Sequence, residues 1–465
     1  MNTARFTLIR PLLVASLITF ACSRAFAEAP PTYTKDIAPI LFQNCVGCHR
    51  PGEVGPFPLL TYEDARKRAK QLAKLTGNHI MPPWKPAAGH EEFKDARVLT
   101  DPQIAVFKAW AEAGAPPGDA KDLPPQPKFP DGWHAGKPDL ILKVARPFTI
   151  PAEGPDIYVH YVLPLDLQTD KYIRGVQVLP SNRRVAHHGV PILDGSGTAR
   201  KLAAKNGGDF YPNFGGPGFI PRGFLPGYAP GQTTRLADKD SPAEDVGITL
   251  AKGLDIVLQM HYHPTGKVET DQPQIGLYFT DKKPKRGPNI IGMVNNDVDI
   301  PAGEKAHTRA DSFTLPVDFE VRDIWGHMHM IGKALKVWAE LPDGKTKDML
   351  LIPDWDFNWQ DTYHYKKPFV LPKGTVVRSE WTWDNTAENP RNPNTPPKRI
   401  TWGEGSTDEM TGLIIGGITV NTGLDDGIMW LTVLGHYLES ERKATEAAAK
   451  RTNSEVPALN LRRSE

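Results

Sequence analysis

The chain has 465 residues, and its 55 lysines and arginines nearly balance its 54 aspartates and glutamates, so the formal net charge is +1. A chain of this length predicts about two to four domains. The even charge excludes the basic surplus of a nucleic-acid-binding protein, and we expect no nucleic-acid partner. The 41 glycines and 45 prolines favour many turns between short strands over a mostly helical protein.

The N-terminus has the pattern of an export signal over residues 1–27. A basic start at Arg5 and Arg10 precedes a short apolar stretch, and an Ala-Phe-Ala motif at the end of the signal gives a cleavage site. The apolar stretch is too short to span a bilayer, and no later run approaches the roughly 18 apolar residues of a membrane helix. We therefore expect a mature protein that has no membrane span and is periplasmic or secreted. A lipoprotein signal at Cys22 is the alternative.

Cys45 and Cys48 are the cysteines that remain after the signal, in the sequence NCVGCH at 44–49. This C-x-x-C-H pattern is typical of covalent haem attachment, in which both cysteines form thioethers to the porphyrin and His49 binds the iron. A zinc site would need further soft ligands nearby, and a thioredoxin-like dithiol would need a βαβ context that the surrounding residues lack. The sequence therefore predicts one covalently bound haem c.

Three helical stretches surround this motif, at 35–43, 66–75 and 102–114. The last begins with Asp-Pro, a favourable cap and first turn, and ends at a glycine. Three short helices around a C-x-x-C-H motif resemble a small class I cytochrome c, which we expect to occupy residues 28–118. The proline-rich stretch 119–136 predicts an extended linker and a domain boundary.

A cytochrome of this class needs a second axial ligand to the iron. Met81 is the favoured candidate, because prolines hold its loop open and a thioether sulfur stabilises ferrous iron. His79 is the alternative, in which case Met81 only packs against the haem edge. An iron with both axial positions filled would exclude the haem as the catalytic centre of an oxidase or a peroxidase.

After residue 137 the sequence changes to short apolar or alternating segments separated by Gly, Pro and Asp turns, which is typical of antiparallel β-sandwiches. Such segments lie at 140–144, 158–163, 256–263 and 334–340. The expected fold class is multidomain, with a small all-α domain followed by all-β sandwich domains. The charged stretch 442–465 predicts a solvated helix that fades into disorder.

Six of the 14 histidines fall into three tight groups, which are His187 with His188, His261 with His263, and His327 with His329. Alternate residues of a strand point to the same face, so we expect each His-x-His pair to converge on one metal ion. Imidazole suits copper, zinc, iron and nickel, so the histidines alone do not select the metal. The isolated histidines are expected to be structural.

The order of four motifs carries a resemblance. They are His187-His188, Gln-Met-His-Tyr at 259–262, His-Met-His at 327–329 followed by Ile-Gly-Lys, and Asp-Glu-Met at 408–410. This order resembles the copper type II, ascorbate-dependent monooxygenases, the family of peptidylglycine α-hydroxylating monooxygenase and dopamine β-monooxygenase. The resemblance covers roughly residues 137–440. It implies two jelly-roll-like β-sandwich domains, at 137–285 and 286–441, with one copper ion on each.

The resemblance also assigns ligands. It implies that His187, His188 and His261 bind an electron-transfer copper, and that His327, His329 and Met410 bind the copper at which dioxygen reacts, so these last three are the expected catalytic residues. His263 could replace His261 or lie behind it as a partner. The implied reaction inserts one oxygen atom of O2 into an activated C–H bond and releases the other as water, with one electron from each copper.

Three positions depart from the peptide-amidating members of that family. Their substrate-binding arginine is replaced by Trp325, and their asparagine and tyrosine are replaced by Gly412 and Ile414. We therefore expect a small hydrophobic or aromatic organic substrate instead of a glycine-extended peptide. The fused haem predicts that electrons come from a periplasmic donor and not from ascorbate. The alternative is a non-enzymatic haem and copper electron-transfer or copper-handling protein, although the presence of Met410 argues against it.

Overall fold

The computed structural model describes residues 29–129, 132–213, 216–229, 246–403 and 405–455. The predicted export signal and residues 456–465 of the predicted tail lie outside this part of the chain. The described residues form a helical unit and two β-sandwiches, each with its own apolar core. None of the described helices is both long enough and apolar enough to cross a membrane.

The helical unit lies between residues 33 and 115. A π-helical turn, Tyr33–Ile37, leads into α1 (Ala38–Asn44), and α2 (Tyr62–Lys67), α3 (Ala69–Gly77) and α4 (Asp101–Glu112) follow. Thr61 and Thr100 begin α2 and α4 with capping boxes, in which the threonine hydroxyl accepts the N–H three residues later. Side chains from the π-helical turn, α1 and α4 form the buried core of the unit, to which Ile37, Leu41, Phe107 and Trp110 belong. A 3-10 turn, Ala120–Asp122, follows in the predicted linker.

The first sandwich contains short antiparallel strands and one helix. In chain order these are β1 (Leu140–Lys143), β2 (Phe148–Ile150), β3 (Ile157–Pro164), β4 (Lys171–Leu179), β5 (Ala186–Asp194), α5 (Thr198–Ala204), β6 (Phe210–Pro212), β7 (Gly223–Phe224), β8 (Ile248–Leu250), β9 (Asp255–Tyr262), β10 (Glu269–Asp271) and β11 (Gln274–Thr280). One sheet has the order β1-β11-β4-β8 and the other β6-β3-β9-β5-β7, while β2 pairs with β10. Inward side chains of both larger sheets form one core.

The second sandwich repeats this arrangement. Its strands are β12 (Asn289–Met293), β13 (Asp299–Ile300), β14 (His307–Thr314), β15 (Phe319–His327), β16 (Gly332–Glu340), β17 (Thr346–Ile352), β18 (Tyr363–Leu371), β19 (Val376–Trp383), β20 (Ile400–Thr401) and β21 (Gly412–Thr419). The larger sheets have the orders β12-β21-β15-β18 and β14-β19-β16-β17, and β13 pairs with β20. The long helix α6 (Leu424–Glu455) packs on β12 and β21 and buries Met429 and Val433 in this core.

A segment of the helical unit, residues 84–97, packs against the second sandwich. The backbone N–H of Ala87 donates to the Leu351 carbonyl in β17 at 2.8 Å, and Phe93 forms an antiparallel bridge with Tyr365 in β18. Phe93 is only 4% exposed and belongs to the core of that sandwich. The sequence analysis placed these residues in the 28–118 domain and gave no sign of this interface.

The predicted strands and helices are confirmed where the sequence pattern was strong. The strand segments correspond to β1, β3, β9 and β16, and the helical stretches to α1, the pair α2 and α3, and α4. Helix α6 begins at Leu424, well before the predicted tail, because its first half carries apolar residues that the sandwich buries. The coarse expectation of a mostly β protein with sandwich domains is confirmed. Its finer parts, the cytochrome c class and the jelly-roll-like topology, stay predictions.

Candidate metal centre

The first histidine group lies on two paired strands of the first sandwich. His188 in β5 lies opposite His261 in β9, and a β-bulge between Ala186 and His188 brings His187 to the same side. The Nδ1 atom of His188 lies 3.4 Å from Nδ1 of His187 and 3.3 Å from Nδ1 of His261. One ring nitrogen from each of the three lies within 4.8 Å of the others, so the group could hold a metal ion.

Asp156 lies behind this group, just before β3. Its carboxylate is 3.2 Å from His261 Nε2 and 2.6 Å from His263 Nδ1, and it also accepts hydrogen bonds from the backbone N–H and hydroxyl of Ser406 in the second sandwich. Burial alone would raise the pKa of Asp156, but the hydrogen bonds from His261, Ser406 and His263 hold it well below its usual range. An ionised Asp156 favours the His261 tautomer that carries its proton on Nε2, which leaves Nδ1 free to bind a metal.

His263 does not join the first group. β9 ends at Tyr262, so the two histidines of this His-x-His pair do not both lie on the strand. The side chain of His263 is 62% exposed and contacts Asp156, whereas that of His261 is 4% exposed and faces His188. Of the alternatives left open by the sequence, His263 as the partner behind the ligand has the better geometry.

The second histidine group lies at the end of β15. The rings of His327 and His329 are 4.9 Å apart between centroids and nearly perpendicular, at 84°. His327 Nδ1–H donates to Gln360 Oε1, and His329 Nδ1–H donates to the Asp408 carbonyl at 3.1 Å. Because each neutral imidazole has one donor and one acceptor nitrogen, these bonds leave Nε2 of both rings free to bind a metal.

Glu409 fixes the backbone on which this second group depends. β15 ends at His327, so the expectation that His327 and His329 share one strand face is wrong; His329 lies in the following turn. Glu409, fully buried, accepts the backbone N–H of His329 and of Ile331 and the indole N–H of Trp383, each at 2.9 Å. Burial raises the pKa of Glu409 to about 8, against the opposing effect of these bonds. The turn is therefore held by buried hydrogen bonds and not by strand pairing.

The chain neighbours of Met410 contact both histidines of the second group. The residue before it, Glu409, binds the His329 backbone, and Gly412, two residues later, pairs with His327 across β21 and β15. A Cβ atom at Gly412 would lie 3.1 Å from the Cβ of His327, so the strands approach closely here. The structure thus brings the backbone of Met410 near His327 and His329, and its role as a ligand stays a prediction.

Phe357 joins the two groups. Its ring stacks on His187 with centroids 4.9 Å apart at 20°, and it meets the His329 ring edge-on at 5.8 Å and 80°. Trp325 stacks on the His327 imidazole, with ring centroids 5.4 Å apart and an angle of 13° between the rings. Ile414, which pairs with Trp325 across β15 and β21, is 39% exposed. The two groups therefore face each other across an aromatic ring, beside an apolar surface.

Burial favours the neutral form of four histidines in the two groups. Burial and the neighbouring histidines lower the pKa of His187 to about 3, and that of His188 lies well below its usual value for the same reasons. Burial lowers the pKa of His327 to about 3 and that of His329 to about 4. Neutral imidazole is the form that binds metals, so these four rings do not have to lose a proton before a metal ion binds.

The C-x-x-C-H motif directly follows α1 in the helical unit. Cys45 and Cys48 are free thiols, and burial raises the pKa of Cys45 to about 12, whereas a redox dithiol has a lowered thiol pKa. His49 Nδ1–H donates to the Phe57 carbonyl at 3.0 Å, which leaves Nε2 free. Met81 lies in the loop after α3, where its backbone N–H donates to the Leu75 carbonyl at 3.2 Å. Its assignment as the axial ligand stays a prediction.

Four residues that shape these sites were not predicted from the sequence: Asp156, Phe357, Gln360 and Glu409. Glu409 could have been noticed because it is the central acid of the Asp-Glu-Met motif at 408–410. The segment DWDFNWQDT at 354–362 could have been noticed for its three aromatic rings among polar residues. Asp156 has no local signal, since its partners lie about one hundred residues away or more.

Comparisons with known proteins do not assign the chain. No protein-family model and no curated protein matches it. Solved structures with a weak resemblance include broad bean stain virus (TM-score 0.23, 6% identity, 58% of this chain and 91% of that chain) and PNGF-II (TM-score 0.23, 10% identity, 63% and 64%). An infectious bursal disease virus particle gives a TM-score of 0.15 at 9% identity, over 61% and 80%. Scores this low do not establish a shared fold, and no function is transferred from them.

Proposed function

We propose that this protein is an exported copper-dependent monooxygenase that receives electrons through a haem c attached at Cys45 and Cys48. The observation that most supports this is the pair of histidine groups, which come from different sandwiches, face each other across Phe357, and present different ring nitrogens. The proposal takes the helical unit as a class I cytochrome c and the sandwiches as the jelly-roll-like domains of copper type II monooxygenases.

The first group fits the electron-transfer copper. His187, His188 and His261 offer converging nitrogens, and the Asp156 carboxylate, 3.2 Å from His261 Nε2, favours the tautomer in which Nδ1 can bind a metal. A set of imidazoles accommodates both oxidation states of copper, as an electron relay must. Asp156 also joins this group to the second sandwich, because it accepts hydrogen bonds from Ser406. The first histidine group is therefore held near the second.

The second group fits the copper at which dioxygen reacts. Nε2 of His327 and of His329 is free, and Met410 adds a soft thioether that favours the reduced copper ion. When bound, the two coppers would supply two electrons for the insertion of one atom of O2 into a C–H bond. Gln360 and the Asp408 carbonyl orient the rings, and Glu409 holds the turn that carries His329.

The C-x-x-C-H site fits a covalent haem. Two reduced cysteines are placed one turn apart beside His49, whose Nδ1–H is bound to the Phe57 carbonyl so that Nε2 can bind iron. The haem would accept single electrons from a periplasmic donor. Met81 remains the proposed second axial ligand, with His79 as the alternative.

The surface beside the second group favours an apolar substrate. Trp325 and Ile414 lie across from each other on β15 and β21, next to His327, where the peptide-amidating enzymes place charged and hydrogen-bonding groups. A hydrophobic or aromatic small molecule could pack on these side chains with its C–H bond toward the second group.

Product analysis tests the proposal. The purified, reduced protein, carrying one haem and two coppers per chain by elemental analysis, is given isotopically heavy dioxygen and a panel of apolar organic molecules. We expect oxygen uptake and a product that gains one labelled oxygen atom. Copper reoxidation with no oxygenated product for any member would favour the non-enzymatic electron-transfer alternative, and zinc retained at both groups after reconstitution with copper would reject the metal assignment.

A further inference from the structure

One residue of the loop between β17 and β18, residues 353–362, contacts both histidine groups. We call it the aromatic loop, because Trp355, Phe357 and Trp359 lie in it. Phe357 stacks on His187 of the first group and contacts the His329 ring of the second. Two sites from different sandwiches therefore share one side chain of this loop.

Gln360 ties the same loop to His327. Its Oε1 accepts the Nδ1–H of His327, and its Nε2 donates to the Phe357 carbonyl at 2.9 Å. The side chain that orients His327 thus also fixes the backbone that carries Phe357. The loop and the two groups form one packed unit.

The far end of the aromatic loop contacts the helical unit. Asp361 forms an ion pair with Arg97, and the guanidinium of Arg97 lies 4.6 Å from the ring centre of Trp359, which is 7% exposed. Arg97 lies between α3 and α4 of the helical unit, the unit that also carries the C-x-x-C-H motif.

We propose that the aromatic loop is the electron route from the haem to the copper sites, entered at Arg97 and Trp359 and leaving at Phe357 and Gln360. This inference rests on the proposed function. In each step ferrous haem iron is oxidised to ferric while a cupric ion is reduced to cuprous, and an external one-electron donor then reduces the haem again. No bond forms or breaks. The loop therefore needs only to fill the space between the haem site and the copper sites with packed atoms in a fixed arrangement.

A second contact between the helical unit and the first sandwich offers a competing route. Glu53 forms an ion pair with Arg183, and Tyr228 lies near both of them and near Cys48. The backbone of Tyr228 is hydrogen-bonded in both directions to Gly189, the residue after His188, at 2.8 and 2.9 Å. This route reaches only the first group, and it has no aromatic ring stacked on a ligand histidine.

Transient kinetics on the full-length, haem- and copper-loaded protein distinguishes the routes. The haem is reduced rapidly in the absence of oxygen while the coppers are cupric, and its reoxidation is followed by absorbance. We expect Trp359→Leu to slow this reoxidation severalfold and Trp359→Phe to restore most of the rate, with the haem midpoint potential and the cupric spectra unchanged. Trp338→Leu, a change on β16 outside the aromatic loop, is the control and should keep the wild-type rate.

The following results would overturn the aromatic loop as the electron route. Wild-type reoxidation in Trp359→Leu, or a slowing found in Tyr228→Leu instead, overturns the inference and leaves the proposed function standing. A slowing shared with Trp338→Leu, or matched by a shifted haem potential, also overturns it, because folding or driving force would then explain the effect. If the loaded wild-type protein shows no transfer from haem to copper, the electron supply in the proposed function fails as well.

Discussion

The two histidine groups differ in which ring nitrogen is available to a metal ion. In the first, Nδ1 atoms of His188 and His261 face each other, and the Nε2 of His261 lies 3.2 Å from the carboxylate of Asp156. In the second, Nδ1–H groups are bound to the neutral oxygens of Gln360 and of the Asp408 backbone, and Nε2 is left free. A carboxylate behind an imidazole makes it a stronger donor and offsets metal charge, whereas a neutral acceptor only orients the ring. If the proposed coppers bind here, the first group would suit an ion that cycles through the oxidised state, and the second would suit one kept reduced.

The largest effect is expected from exchanging the soft ligand of the second group. Met410→His should leave two coppers per chain, because imidazole is a competent copper ligand, but should abolish hydroxylation by disfavouring the reduced ion. Elemental analysis and single-turnover product formation measure the two properties separately. Full turnover by this variant would mean that His327, His329 and Met410 are not the site of oxygen chemistry.

Removal of the charge behind the first group should have the next largest effect. Asp156→Asn keeps the size of the side chain but leaves one acceptor oxygen and an NH2 group facing donors from His261, His263 and Ser406. We expect copper affinity at the first group to fall roughly 10–100-fold, with the second group unaffected. Competition with a cuprous chelator measures this.

Ser406→Ala is the matched control for that change, because it removes the hydroxyl that donates to Asp156, keeps the backbone N–H of residue 406, and leaves the carboxylate beside His261. Its copper affinity should equal that of the wild type. Equal affinity in Asp156→Asn as well would show that the carboxylate does not tune the first group, and the contrast between the groups would lose its basis.

A smaller effect is expected at the neutral partner of the second group. Gln360→Leu removes the acceptor for His327 Nδ1–H, and we expect about a tenfold loss of copper affinity at that group alone. Gln360→Glu keeps an acceptor oxygen and should recover most of the affinity, again measured by chelator competition. If Gln360→Leu weakens the first group instead, the side chain acts through Phe357 and not through His327.

Local patterns predicted the elements and the ligand groups, while contacts distant in sequence decided how the ligands are held. The segment 256–263 predicted β9, and the His-x-His spacing predicted that His263 and His329 share a strand with His261 and His327. β9 ends one residue before His263, and β15 ends two residues before His329. The convergence of adjacent His187 and His188 depends on a β-bulge, which residue spacing does not encode. Asp156 could not be found because no local pattern relates it to Ser406, 250 residues later.

The segment 84–97 has a consequence for the solubility of the second sandwich. β17 and β18 are the last strands of their sheets, and such edges expose backbone groups that can pair with another molecule. Ala87 occupies the first edge, Phe93 and its neighbours occupy the second, and the Phe93 ring fills the apolar opening between them. A shortened protein that lacked the helical unit would have two bare edges beside an open core, and would tend to aggregate before metal binding could be measured.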